Sequence, residues 1–187
     1  MTALYPLFLK LGGKDVLVLG AGVVAEKKIA DLVAAGARVR VVSPEATPAV
    51  QDLAARGVVA WEARRFEVAD VAGAWLVVAA TTDPGAQEAA AQAAEERRVF
   101  IIAVDDLPNT SAYSGAVIRR EPFLVAISSS GEAPALSRLL RQVLEQALPD
   151  TEWVEAARAL RERWKADATP MGSRFGELVR AFKEKAG

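Results

Sequence analysis

An α/β protein, built on a parallel doubly wound sheet and followed by a small hairpin-plus-helix module, is predicted by three features of the chain. Short apolar runs alternate with helical periods through its first half. A pair of glycines stands directly between the first apolar run and the first helical period. After Asp105 the alternation stops, and two apolar stretches flank a charged turn.

Residues 15–19 read D-V-L-V-L, a continuous apolar run of the kind found in a parallel strand covered on both faces. Residues 24–35 have a helical period, with Ile29, Leu32 and Val33 on one side, Glu26, Lys27, Lys28 and Asp31 elsewhere, and Gly36 as the stop. Residues 39–42 resume as a strand, a helix is expected over 51–56, and 58–61 form a third short strand. The fully apolar run 75–80 is the fourth strand, 84–97 a helix, and 99–104 the fifth strand. Beyond a polar loop at 106–114, stretches 115–118 and 123–128 read as an antiparallel pair around Arg119-Arg120-Glu121-Pro122. An amphipathic helix over 134–148 follows, then two helical segments at 150–166 and 172–185, separated at Thr169-Pro170. No internal repeat is visible.

Composition narrows the chemistry. The 187 residues are 52% hydrophobic, yet no apolar run reaches the roughly 18 residues a spanning helix needs. The first residues lack the basic and apolar stretches of a signal peptide, so a cytoplasmic location and no membrane partner are expected. There is no Cys and no His, which removes the usual zinc ligands and every Ser-His or Cys-His pair. No metal site is expected, and acid–base work falls to Asp, Glu, Lys, Tyr or a hydroxyl. With 23 basic and 24 acidic residues the net charge is −1, which gives no reason to expect nucleic-acid binding.

Gly20-Ala21-Gly22-Val23-Val24-Ala25 is a G-x-G-x-x-A between a strand and a helix. In that context Gly20 permits the turn, Gly22 lets backbone approach a pyrophosphate, and the N–H groups opening the helix at Val23 and Val24 face the phosphates. The arrangement predicts a Rossmann-type dinucleotide site; a glycine turn kept for packing alone would leave the same trace. The second strand normally ends in an acid that binds the adenosine ribose, but here Ser43-Pro44 occupies the place, with Glu45 just beyond. No arginine sits within 43–47, so NAD is the expected cofactor. Thr81 follows the fourth strand as a cofactor contact, while Asp83 before Pro84 fits a helix cap.

Asp105 and Asp106 end the fifth strand at the same edge. In a chain without His or Cys an acid there is the leading catalytic candidate, although two aspartates also commonly open a turn. Ser128, Ser129 and Ser130 lead into the long helix with hydroxyls and amides suited to an anion or to ordinary capping. Arg138 and Arg141, three apart, could clamp carboxylates or form a solvated face.

In order and spacing, the motifs resemble the precorrin-2 dehydrogenases, including the amino-terminal module of siroheme synthases. The marks are Y-P-L-F, G-A-G-V-V-A-E-K-K, V-V-S-P, V-V-A-A-T-T-D, A-V-D-D, I-R-R-E-P-F-L-V-A-I-S-S-S-G and A-P-A-L-S-R-L-L-R, spread over residues 4–150. The resemblance implies NAD-dependent oxidation of precorrin-2 to sirohydrochlorin towards siroheme or cobalamin, with Asp105 as the catalytic group. Some relatives also insert ferrous iron. It further implies that Arg119, Arg120, Ser128, Ser129, Arg138 and Arg141 meet the carboxylate-rich tetrapyrrole, and that the protein is a homodimer. The expected organisation is an NAD-binding Rossmann domain at 1–112, a dimerisation and substrate module at 113–150, and a C-terminal helical segment at 151–187. A non-enzymatic NAD-sensing regulatory domain would share the glycine turn and the sheet. A short-chain reductase would need Tyr-x-x-x-Lys, whereas Tyr113 is followed at that spacing by Val117.

Overall fold

The computed structural model describes residues 4–148 and 151–186. The chain divides into two compact units, Met1–Ser114 and Gly115–Gly187.

In the first unit the elements run β1 (Asp15–Leu19), α1 (Val23–Ala34), β2 (Arg38–Val42), α2 (Pro48–Ala55), β3 (Ala60–Glu62), a 3-10 turn (Val68–Val71), β4 (Leu76–Ala79), α3 (Pro84–Glu96) and β5 (Phe100–Ala103). The sheet is parallel throughout, in the order β3-β2-β1-β4-β5. Successive side chains of a strand point to opposite faces, so apolar runs bury on both. Val16 and Val18 of β1 join Ala25, Ile29, Val41 and Val78 in one core, while Leu17 and Leu19 join Val42, Val77, Ala90 and Ile101 in the other. This is the doubly wound sheet expected from the alternation, and its order reverses between β1 and β4, where such sheets open a crevice.

One helix boundary and one short element depart from expectation for identifiable reasons, and the third strand falls at 60–62 rather than 58–61. The second helix begins at Pro48 rather than 51, because Thr47 caps it by accepting from the Val50 N–H and Pro48 occupies its first turn. The 3-10 turn has no apolar period to betray it; ion pairs of Asp70 with Arg40 of β2 and with Arg64 of the preceding loop hold it in place.

The second unit contains a hairpin, β6 (Ala116–Arg120) with β7 (Phe123–Ile127), and three helices: α4 (Pro134–Ala147), α5 (Thr151–Ala166) and α6 (Met171–Ala186). Arg119 and Arg120 therefore lie in the strand, opposite Leu124 and Phe123, and only Glu121-Pro122 makes the turn. Ile118 of β6 and Ser137 of α4 are buried in this unit. The α5–α6 pair covers Trp164, whose indole N–H donates to Glu177 at 2.8 Å, and stacks Trp153 on Phe182 with ring centroids 4.3 Å apart. Among the described residues no helix is long and apolar enough to cross a membrane.

Candidate dinucleotide site at the carboxyl edge of the sheet

The carboxyl ends of β1, β2 and β4 supply Gly20, Ser43-Pro44 and Thr81, which line one cavity of about 490 Å³ together with Arg65 and Phe66. Gly20 has φ 90°, and a Cβ there would fall on the Ala80 carbonyl, so the turn requires glycine to let β1 and β4 diverge so tightly. Ser43 is buried and its hydroxyl donates to the Glu45 carbonyl at 2.7 Å. The end of β2 thus presents no carboxylate to the cavity, and Glu45 is exposed outside its lining. The Thr81 hydroxyl accepts from the Asp83 N–H at 3.2 Å. Asp83 caps α3 through the N–H groups of Gly85 and Ala86, as its position before Pro84 predicts. Buried Gln87 donates to the Ala79 and Val104 carbonyls and ties the ends of β4 and β5 together.

Gly22 is the N-cap of α1 with φ −81°, and no side chain caps its first turn. The helix therefore opens with N–H donors that no side chain satisfies, and nothing lies within 4 Å of where a Gly22 Cβ would project. A pyrophosphate fits this cradle: a twelve-residue helix directs its N–H groups and its positive end at a space that glycine keeps clear. Val23 and Val24 are exposed on the first turn. The Val23 side chain lines a separate shallow depression with Ala49 and Leu53, leaving only its backbone to serve a phosphate.

Asp105 stands just past β5, exposed, with φ 57°. Aspartate is among the few residues that adopt this left-handed conformation without much cost. Its neighbour Asp106 accepts from Asn109 Nδ2 at 2.8 Å and closes the loop. Thr110 and Ser111 fasten the following segment to β5 by accepting from the Ala103 and Ile101 N–H groups at 2.7 and 2.9 Å. Half-buried Lys28 of α1 donates to the Ser114 hydroxyl at 2.5 Å. Burial pushes its ammonium below the ordinary lysine value, and the charges of Asp31 and Asp105 pull it back up.

Behind the cavity an ion network orders the loop after β3. Arg64 donates to both Asp70 carboxylate oxygens, at 2.8 and 2.6 Å, and to Glu62, while Arg40 reaches Asp70 at 3.0 Å and Glu62 at 3.3 Å. Asp70 also accepts from the Glu67 N–H. The Arg64 guanidinium holds the buried Asp70 carboxyl far below the usual carboxylate range. Nothing periodic in the sequence announces this loop, and reasoning from sequence missed Arg65, Phe66 and Lys28.

In the second unit the expected substrate contacts have mixed fates. Arg120 donates to the Leu148 carbonyl at the end of α4, at 2.8 Å, and Arg141 pairs with Glu145 at 2.8 Å. Arg138 is exposed and makes no ion pair among the described residues, and Arg119 is exposed on β6. The Ser128 hydroxyl accepts from the Ser130 N–H and that of Ser129 from the Ala133 N–H, both at 3.1 Å, so the serines shape the turn before α4. Among the described residues no cluster of three or more acids could hold a metal ion.

A parallel sheet with a glycine turn at its switch point and a cavity over its carboxyl edge defines a Rossmann-type dinucleotide-binding domain. Residues 7–116 match the family described as putative NAD(P)-binding, and the chain belongs to that family. It is 44% identical over 171 residues to siroheme synthase 3 of Aeromonas hydrophila subsp. hydrophila, covering 90% of this chain and 36% of that protein. To siroheme synthase 1 of Serratia proteamaculans it is 36% identical over 184 residues, covering 97% and 38%. The chain thus spans little more than a third of the length of these curated relatives. Among solved structures, SirC, a precorrin-2 dehydrogenase, has the same fold, with a TM-score of 0.75 at 20% identity over 95% of this chain and 88% of that one.

Proposed function

We propose that the chain is a cytoplasmic, homodimeric NAD-dependent dehydrogenase that oxidises precorrin-2 to sirohydrochlorin on the way to siroheme or cobalamin. The observation that carries this reading is the alignment of nearly the whole chain with a little over a third of siroheme synthases, on a fold with a dinucleotide cradle. When bound, the nicotinamide supplies the hydride acceptor. The rest falls to this chain's residues. The reaction removes one hydride and one proton from the macrocycle, and Asp105 accepts or orients that proton at its carboxylate. Asp105 is suited to this because, unlike Asp106, its carboxylate is not committed to the loop. For the carboxylates of the substrate we assign Arg119, Arg120, Arg138 and Arg141 with Ser128 and Ser129. Arg138 is exposed and makes no ion pair among the described residues, whereas Arg120 and Arg141 already hold partners.

An absorbance assay of precorrin-2 oxidation with NAD tests the reading. Wild-type protein should turn over, and Asp105→Asn, which tolerates the left-handed backbone, should lose on the order of 100-fold in rate while binding NAD normally. Asp106→Asn should lose far less. No turnover by the wild type would refute the dehydrogenase assignment, and equal near-native rates in both variants would refute the choice of Asp105.

A further inference from the structure

We infer that Arg65 decides which dinucleotide the cavity accepts: its guanidinium is placed to anchor a phosphate on the adenosine ribose, so the site takes NADP as well as NAD. The inference rests on the dinucleotide reading of the cavity and adds a determinant absent from the glycine turn.

Selectivity at this end of a Rossmann site depends on what stands beside the end of the second strand. A carboxylate there accepts from the ribose hydroxyls and repels a 2′-phosphate, whereas a nearby arginine accommodates one. Here the position is Ser43, with its hydroxyl already given to a backbone carbonyl, followed by Pro44, which has no N–H to offer. The acid that lines the cavity is Asp83, one of whose oxygens holds the N–H groups at the start of α3. Against this weak negative lining stands Arg65, which lines the same cavity as Ser43 and Pro44.

Arg65 follows a network that holds two other arginines, and their environments separate their roles. Arg40 and Arg64 are consumed by Asp70 and Glu62. Arg65 is exposed, and its side chain makes no hydrogen bond or ion pair among the described residues. Its backbone is nevertheless fixed, because Arg64 Nη1 donates to the Arg65 carbonyl at 3.0 Å. The network therefore leaves one cation lining the cavity while neutralising its neighbours. Phe66 and Val68 of the same loop give the cavity an apolar wall beside it.

Calorimetric titration of the full chain with NAD, NADP and adenosine 2′,5′-bisphosphate tests this, with Arg65→Ala and Arg65→Gln compared with wild type. Circular dichroism checks that the variants fold, as removal of an unpaired exposed side chain should allow. Wild type should bind both dinucleotides, and either variant should lose about tenfold or more for NADP and the bisphosphate. For NAD the loss should stay under about threefold. The inference is overturned if wild type binds NAD but not NADP, or if the variants weaken both dinucleotides equally; NAD binding survives in the first case, so the underlying reading stands. Binding of neither dinucleotide by wild type would sink both together.

Discussion

At Gly20 the backbone takes φ 90° and approaches Ala80 so closely that no side chain fits, whereas Gly22, two residues on, has an ordinary φ and open space around it. The first glycine is demanded by the fold; the second is demanded by nothing in the protein itself, which points to a ligand. Gly22→Val should therefore fold with a melting temperature near that of wild type yet lose measurable NAD binding by calorimetry. Retained affinity in the folded variant would contradict the cradle. Asp70 supports a prediction of another kind. Its folded pKa lies below the unfolded value, so its contribution is complete above about pH 4 and is lost as pH falls towards the folded value. Asp70→Asn should cost about 2 kcal/mol in urea unfolding at pH 7, with the gap from wild type narrowing under strongly acid conditions. A pH-independent gap would mean that packing, not charge, holds the loop. Both glycines could be read from the sequence because a turn motif is local. Arg65 and Asp70 could not, since Asp70 meets Arg40 across thirty positions and nothing local marks the pair.

Elements whose ends follow local chemistry are the ones the sequence places well. β1 and β4 are apolar runs buried on both faces, which makes them legible from pattern alone, whereas β2 carries Arg38 and Arg40 and the short β3 is only half-buried. The start of α3 was equally legible, since Asp83-Pro84 combines a capping acid with a proline in the first turn. Asp83→Ala should cost about 1 kcal/mol in urea unfolding, the usual worth of such a cap, and an unchanged midpoint would show that the turn holds without it. Thr47-Pro48 carries the same signal for α2, but only Val50 of that helix is buried, so no apolar period drew attention to its beginning. Arg119 and Arg120 misled in the other direction: charged residues between two apolar runs read as a turn, yet cross-strand pairing with Leu124 and Phe123 keeps them in β6. Side-chain polarity reports the solvated face of an edge, and the hydrogen-bond ladder decides where the strand stops.

For the molecule as a whole, the decisive fact is that α4 buries little of its apolar face. Leu136, Leu139, Leu140, Val143 and Leu144 are each at least 40% exposed, and the residue this helix does bury is Ser137. Phe123 and Leu124 on β7 are similarly open. Of the aromatics in the two final helices, Trp164 and Trp153 find cover between α5 and α6, while Phe175 stays exposed. A contiguous apolar stripe along fourteen residues of helix is too large to leave in water, and a second copy of the same stripe is its simplest complement. A two-fold contact would bring identical leucines together, and about 800 Å² per partner would suffice for a stable pair. Light scattering across a micromolar concentration series should accordingly give about twice the 19.9 kDa chain mass. Replacing Leu139 and Val143 together by Glu should return the monomer with its helical content intact, because both side chains are more than half exposed within one chain. A monomeric wild type at these concentrations would show that this face is not a self-association surface, and a dimer indifferent to the double substitution would move the contact away from α4.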